Sequence, residues 1–562
     1  MENIKHSKIK IFALGGLGEN GKNMYVIEVN GKIFIIDAGL KYPGDDLLGV
    51  DAVIPDIKYL VENKNRIVCL FLTHAHENHI GAIPNLLKKI NLPVYGTRLT
   101  IALVEDALRE DGEDIEKYQL KIIKSSNVLT FNDVQISFYS TTSSIPDSIG
   151  ICINTVDGAI VYTSSYTFEQ SVDKRYQTSY DQITDISRKG VLALLSESLS
   201  ANKAGHTSGE NRLAFELSNL FSQTSGRIIV SVFSSDLQRI QKIIDVANEH
   251  NRKIAIIGRK MQRIVDISVK MGYIKFPTPG MLVNLKFIDE TNDNNLPNLV
   301  VLATGERQEP FDALIRMAKK FDRLINIEKT DTIFLATPPI PGTEIKSART
   351  IDILYRTGAS VNTINKTYLP SPHASSEDIK LMINLLKPKY IIPVIGEYRH
   401  QYAQAKIAEQ MGYNTENIIL LNNGKVVEFS QGDLVNNSNV IDVDQILVDG
   451  LSVGEMNNVV LKDRVLLSKD GILLAMITLD AKTKKVSAGP EIVSRGFIYV
   501  KENEEIINKV QQIMIDSIDA GIANPRNIDW SKLKNDIREK ISKYLYKETK
   551  RKPIVMLVVN EI

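Results

Sequence analysis

Short apolar runs, punctuated by Gly, Asp and Asn, fill the first two hundred positions of the chain. KIKIFAL (8–14), MYVIEV (24–29) and KIFIID (32–37) come first, followed by RIVCLFL (66–72), VQISFYS (134–140), AIVYT (159–163) and VLALL (191–195). Runs of this length, rich in β-branched and aromatic residues, predict strands. Between them, AIPNLLKKI and TIALVEDALRED space their apolar residues as helices do. Strands in close succession, then strand–helix alternation, predict an α/β fold in which two sheets face each other beneath outer helices, an αββα sandwich.

From residue 209 the rhythm becomes regular. ENRLAFELSNLF predicts a helix, RIIVSVF a strand, LQRIQKIIDVANEH a helix, and KIAIIG and NLVVLAT further strands. This pattern describes an inserted α/β domain with a parallel sheet. After 374, SSEDIKLMINLLK predicts a serine-capped helix and KYIIPVIG a buried strand that returns to the first sheet. The polar stretch SQGDLVNNSNVIDVD predicts a linker. The expected domains are therefore 1–208 with 374–435, an insert at 209–373, a linker at 436–452, and a small C-terminal α/β domain at 453–562. The last domain should hold helices near 503–518 and 531–545 and close on the strand PIVMLVV.

A chain of 562 residues exceeds what one core organises, in keeping with several domains. Its net charge of +1 excludes a global basic field, so any nucleic-acid surface must be local. Cys69 and Cys152 both sit in strand-like runs, which points to a reducing compartment rather than a disulfide framework. No run of about 18 apolar residues occurs and MENIKHSKIKIF lacks a signal-peptide core, so a cytoplasmic protein without membrane contact is expected.

Gly16-x-Gly18-x-x-Gly21 matches a dinucleotide fingerprint as a pattern. That fingerprint needs the glycines to open a helix whose amides hold a pyrophosphate. Here they lead into the β-type run MYVIEV, so a glycine-rich connection between strands is expected instead. His74-Ala75-His76-Glu77-Asn78-His79 is more informative. Three of the chain's eight histidines fall within six residues at the end of a buried strand, an arrangement that suits a transition metal.

This stretch resembles the HxHxDH signature of metallo-β-lactamase-fold hydrolases. GGLGENGKN (15–23), IIDAG (35–39), SIPDS (144–148), GEYR (396–399) and SAGPEIVSRGF (487–497) resemble signatures of the ribonuclease J family. With the domain order, the resemblance covers essentially the whole chain. It implies a metallo-β-lactamase αββα sandwich, a β-CASP domain at 209–373 and a C-terminal domain that supports oligomerisation. It also implies two metal ions, Zn or Mn, and 5′→3′ exonuclease with possible endonuclease activity on 5′-monophosphorylated single-stranded RNA.

Carried over position by position, the resemblance places His74, His76 and His79 at metal-ligand positions. Asn78 stands where the family has an aspartate ligand, Ser143 where it has a histidine, Ser165 where an aspartate bridges both metals, and Ile395 where a histidine closes the second site. Glu197 keeps the charge of an acidic position, and His373 matches the β-CASP histidine. Leu369-Pro370-Ser371-Pro372-His373 replaces the family's His-x-Ser-Gly-His, and proline at 372 removes a backbone N–H that glycine would offer. One metal would keep two of its four protein ligands and the other only His79. Serine and amide oxygens are weak neutral ligands and isoleucine is none. Without metals no bound water is acidified toward hydroxide. The resemblance therefore implies a degenerate centre, vestigial roles for His76, Glu197 and His373, and metal binding that is weak or absent.

Ser234 and Ser235, before a helix, and Arg307, Lys346 and Arg349, at loops after strands, are candidate phosphate contacts. Two readings follow. One is an RNA-binding and assembly role beside a catalytically intact ribonuclease J paralogue, through homo- or hetero-oligomers of the C-terminal domain. The alternative is a metal-dependent 5′→3′ exoribonuclease with an incomplete site. A small-molecule metallohydrolase is disfavoured by the insert and the C-terminal domain.

Overall fold

A computed structural model describes residues 6–562 except 45–46, 285–297, 305–309, 338, 340–342, 365–369, 451, 455–457, 500–502 and 523–528. The chain forms two compact units, one of residues up to 42 with 52–446, the other of 43–51 with 447–562.

In the first unit two sheets carry the apolar runs. The first sheet has eight strands, in the order Asp433–Asn436, Val427–Ser430, Lys8–Gly15, Met24–Val29, Lys32–Ile36, Ile67–Phe71, Val94–Gly96 and Leu120–Ile122. The second has six, in the order Tyr390–Val394, Val191–Glu197, Gly158–Tyr162, Ile149–Thr155, Val134–Ser140 and Val128–Phe131. The alternation along each strand puts one set of side chains between the sheets. Ile9, Ile11, Phe34, Phe71, Phe138, Ile151, Ile160 and Ile392 meet there in one buried cluster. The outward set packs under helices: Leu14, Val26 and Leu70 beneath Ile83–Lys89 and Arg98–Glu110, and Val161 and Leu194 beneath Tyr180–Arg188 and Ser376–Leu386. The expected αββα sandwich is present.

The helix Ser376–Leu386 starts on a reciprocal cap between Ser375 and Asp378. Strand Tyr390–Val394 then enters the second sheet, not the first as expected, in parallel beside Val191–Glu197, whose edge is the one left open to a parallel partner. Both the six-stranded and the eight-stranded sheet thus take strands from after the insert. The polar stretch expected as a linker differs from that expectation. Asn436 ends a hairpin strand of the first sheet, and Gln445–Asp449 is itself a strand. Leu434 and Val435 sit between polar neighbours on a four-residue edge strand, a pattern that composition alone reads as loop.

The insert forms a five-stranded parallel sheet, ordered Lys253–Ile257, Leu299–Ala303, Ile228–Ser231, Thr332–Leu335 and Ser360–Thr363. Strand ends of a parallel sheet point the same way, so the loop carrying Ser234 and Ser235 lies beside Ala336 and Thr337. A buried ionic group fixes this corner. Arg239 is 2% exposed and donates to Glu210 at 2.7 Å, to Ala336 O at 2.8 Å and to Pro370 O at 3.1 Å, with Asp236 3.3 Å away. One guanidinium therefore joins two helices, a strand end and the 370 loop.

In the second unit, strands Val486–Arg495, Ile472–Leu479 and Ile554–Glu561 form a sheet on which helices Glu504–Gly521 and Trp530–Thr549 pack. Leu473, Ala475 and Ile477 meet Val510, Met514, Ile537 and Ile541 in its core.

Removing Arg239 leaves two carboxylates buried without their cation, which costs about 3–5 kcal/mol when one partner of a buried pair is deleted. R239A is expected to lower the first thermal transition of the full chain by several degrees, read by circular dichroism and calorimetry. An unchanged transition would show that water or rearrangement replaces the guanidinium.

Candidate functional site

The loops at the ends of strands Lys32–Ile36, Ile67–Phe71, Gly158–Tyr162 and Val191–Glu197 converge on the histidine cluster. Asp37, at φ +61 and fully buried, follows the first of these strands. Its carboxylate accepts from the Thr73 backbone N–H at 2.9 Å, the Thr73 hydroxyl at 2.9 Å and His79 Nδ1 at 2.7 Å. The Tyr162 hydroxyl reaches it at 3.3 Å from the facing sheet. Gly39 permits the next turn, since a Cβ there would sit 1.7 Å from the Asn78 carbonyl oxygen. That carbonyl accepts from the Asn23 backbone and side chain.

The three imidazoles meet: His74 lies 4.6 Å from His76 and 4.1 Å from His79, ring centre to ring centre. Their nitrogens are engaged by one another and by neighbours. His74 Nε2 is 3.1 Å from His76 Nδ1, and His74 Nδ1 lies 3.0 Å from the Thr73 hydroxyl and 3.1 Å from Ser164 Oγ. His76 Nε2 meets Ser144 Oγ at 3.1 Å, and His79 Nε2 meets Asn23 Nδ2 at 3.3 Å. Burial, reinforced by the neighbouring imidazoles, holds His74 well below the ordinary histidine range and His76 at about 3. A hydrogen bond to the Ser235 backbone pulls His76 the other way. The insert therefore touches the cluster through the segment singled out in the sequence, although Ser234 and Ser235 are themselves buried. The helix behind them is capped by the Asp236 carboxylate, which accepts from Arg239 N–H. That carboxylate occupies the end where a phosphate was expected.

The remaining positions are sorted by the structure as follows. Ser143 and Ser165 are buried, and neither hydroxyl has a hydrogen-bond partner. Ser143 adjoins Ser144, which contacts His76, and Ser165 adjoins Ser164, which contacts His74. Ile395 is fully buried at φ +51, a left-handed conformation that is an outlier for a β-branched residue. Its N–H donates to the Tyr25 hydroxyl and its carbonyl accepts from Ser198, which hold the kink. Glu197, fully buried, accepts from Tyr166 N–H and Ala374 N–H at 2.9 Å and lies 2.8 Å from His373 Nδ1. Ser371 Oγ accepts from His373 N–H. Pro370 is spent on Arg239, and Pro372 is half-buried beside it. Arg349 is exposed on helix Glu344–Arg356, and Lys346 on the same helix pairs with Asp312 at 2.7 Å. Arg307 and Leu369 lie outside the described residues.

The donors present do not fit a pair of cations. Among the described residues no group of three or more His, Cys, Asp or Glu side chains is arranged to hold a metal ion. The cluster's imidazole nitrogens point into hydrogen bonds, two candidate positions supply neutral hydroxyls, and a third supplies a hydrocarbon. Sequence reasoning missed the groups that orient the histidines, namely Asn23, Asp37, Thr73, Ser144 and Ser164. A carboxylate directly after a fully apolar strand was the available signal for Asp37, because such a group persists only with buried partners.

Residues 225–354 match the family described as ribonuclease J, beta-CASP domain, and 459–562 match the ribonuclease J C-terminal domain. Residues 17–170 match the metallo-beta-lactamase superfamily, and 359–419 a Zn-dependent metallo-hydrolase RNA specificity domain. Proteins called ribonuclease J 2 from Staphylococcus epidermidis and Staphylococcus aureus are each 40% identical over 558 residues, 99% of both chains. The chain belongs to the ribonuclease J family. A solved Enterococcus faecalis protein of unknown function shares the fold, with a TM-score of 0.52 at 14% identity, over 75% of this chain and 100% of its own. Membership brings with it a ribonuclease J architecture and an RNA specificity domain, in which Ile395 and His373 both lie. Among the described residues no helix is long and apolar enough to cross a membrane.

Glu197 binds three donors, so E197A leaves the His373 ring and two backbone N–H groups unpaired in the interior. Each unsatisfied buried group costs about 1–3 kcal/mol. E197A is expected to destabilise the first unit measurably and to loosen the 371–374 segment, read by hydrogen exchange at Ala374. Unchanged protection there would contradict the pairing.

Proposed function

We propose that this ribonuclease J-family chain acts in RNA maturation and mRNA decay by binding RNA and by assembling with a catalytically intact ribonuclease J. Its own hydrolytic centre is weak or silent. The observation that carries this reading is the donor set: Ser143, Ser165 and Ile395 occupy three positions at which the family resemblance implies ligands.

Hydrolysis of a phosphodiester needs an activated water, a base to receive its proton and charge to stabilise the transition state. His74 and His76 are held neutral by burial, so neither supplies positive charge near pH 7. Glu197 and Asp37 each accept from three or more protein donors, which gives both a structural role in holding the loops around the cluster. The family's metals would supply a lowered water pKa, and beside His74, His76 and His79 this donor set offers them hydroxyls, an amide and a hydrocarbon at the remaining positions. Binding is better provided for: Ser371 and His373 line the 371–374 segment beside the cluster, with the His373 side chain 18% exposed.

Assembly is supported by the second unit. Strand Ile554–Glu561 is the edge of its sheet and exposes Met556, and helix Asn458–Asp470 exposes Val459, Val460, Leu466 and Leu467. An open strand edge and apolar side chains exposed along a helix are surfaces that a second chain covers.

Protein purified without chelator is expected to carry well under one Zn²⁺ or Mn²⁺ per chain by elemental analysis. It should degrade 5′-monophosphorylated RNA far more slowly than an intact relative, with any residual decay lost in H74A/H76A. Two ions retained after dialysis, together with rapid decay, would overturn the silent-centre reading.

Ending the chain at residue 446 is expected to leave the first unit folded and monomeric. Co-purification with an intact ribonuclease J should then disappear, with mass followed by light scattering. A truncated chain that still pairs would move the assembly surface to the first unit.

A further inference from the structure

The helix Tyr398–Gln410 starts three residues after Ile395 and has a sharply divided surface. His400, Gln401, Gln404, Ala405, Ile407 and Ala408 are buried. Tyr398, Tyr402 and Lys406 follow one another at four-residue steps on the opposite face, where such residues are neighbours. Tyr398 is 58% and Tyr402 50% exposed. Among the described residues they are the two large hydrophobic side chains left exposed within the 359–419 match to the RNA specificity domain. Nothing in the core requires an aromatic ring at either place, and an ordinary solvated helix face would carry short polar residues.

We propose that Tyr398 and Tyr402 form a two-ring platform on which successive bases of single-stranded RNA stack. The proposal rests on the reading that the chain binds RNA. Rings are the side chains that capture bases regardless of sequence, because every base offers a π face. Phosphate partners accompany them. Arg399 pairs with half-buried Glu397, and Lys406, 5.4 Å from the Tyr402 ring centre, pairs with Glu409 across one helical turn. Pairs as exposed as these are worth little and yield readily to a polyanion. The helix that carries the platform follows directly on the turn at Ile395, within the span that matches the RNA specificity domain. At 1.5 Å per residue, Tyr398 and Tyr402 stand roughly 6 Å apart along the helix axis. A strand lying along this face of the helix would meet both rings in turn.

The test uses the full chain, a short 3′-labelled single-stranded RNA and an abasic strand with the same sugar–phosphate backbone, compared by fluorescence anisotropy. The wild type is expected to bind the base-bearing strand more tightly. Y398A/Y402A should lose about five- to a hundredfold per ring on that strand and little on the abasic one. Y398F/Y402F should bind as the wild type does. Y398L/Y402L, which keeps apolar bulk without a π face, should fail like the alanine variant. The loss should persist between 50 and 200 mM salt, whereas R399A/K406A should flatten the salt dependence. If the wild type binds RNA and the alanine variant binds it equally well, the platform is wrong and this face belongs to a protein neighbour. If the wild type binds no RNA at all, both the platform and the RNA-binding reading fall together.

Discussion

Asp37 places a charge where no solvent reaches it, and the geometry around the candidate site depends on how that charge is satisfied. An ionised carboxylate taken out of water costs several kcal/mol unless donors surround it. Here the donors come from three places: the backbone and hydroxyl of Thr73, the ring of His79, and the phenol of Tyr162 on the opposite sheet. The carboxylate therefore sets the height of the 73–79 loop over the first sheet and ties it to the second. With the loop fixed, His79 turns its other nitrogen toward Asn23, and His74 and His76 are left to satisfy each other and the adjoining serines.

The same logic recurs wherever separate parts of the first unit meet. Glu197 gathers the 166 and 374 segments, and Arg239 gathers the 210 helix, the 336 strand end and the 370 loop. Each is a buried charge whose partners are far apart in sequence, so each is a point at which the tertiary arrangement is specified rather than merely stabilised. The polar interior around the histidines is closed by protein donors, with the hydroxyls of Ser143 and Ser165 as the two adjoining atoms that find none.

Much of this was readable in the chain. Strands such as MYVIEV and VLALL announce themselves by composition, and SSEDIKLMINLLK announces its own start through a serine and an aspartate three residues apart. The pairing of Glu197 with His373 was not visible, because 176 residues separate them and only the parallel docking of Tyr390–Val394 on Val191–Glu197 brings their loops together. Nor was the left-handed backbone at Ile395, since isoleucine is among the residues least suited to it. Leu434 and Val435 were lost in a polar context, where edge strands resemble loops. Tyr398 and Tyr402 escaped notice because a helix with a well-packed inner face gives no hint of which outer residues serve a purpose.

The strand order has a consequence for how the protein comes into being. Lys8–Gly15 pairs along one edge with Met24–Val29, made directly after it, but along the other with Val427–Ser430, where Lys8 faces Ser430. At ~5–20 residues per second that partner emerges roughly 20–80 s later. Strand Val191–Glu197 waits in the same way for Tyr390–Val394 while the whole inserted domain is made and folded. From the synthesis of each strand until its partner emerges, a nascent chain thus carries an open, strongly apolar strand edge, and the cell must keep it from other chains until the sheet can close.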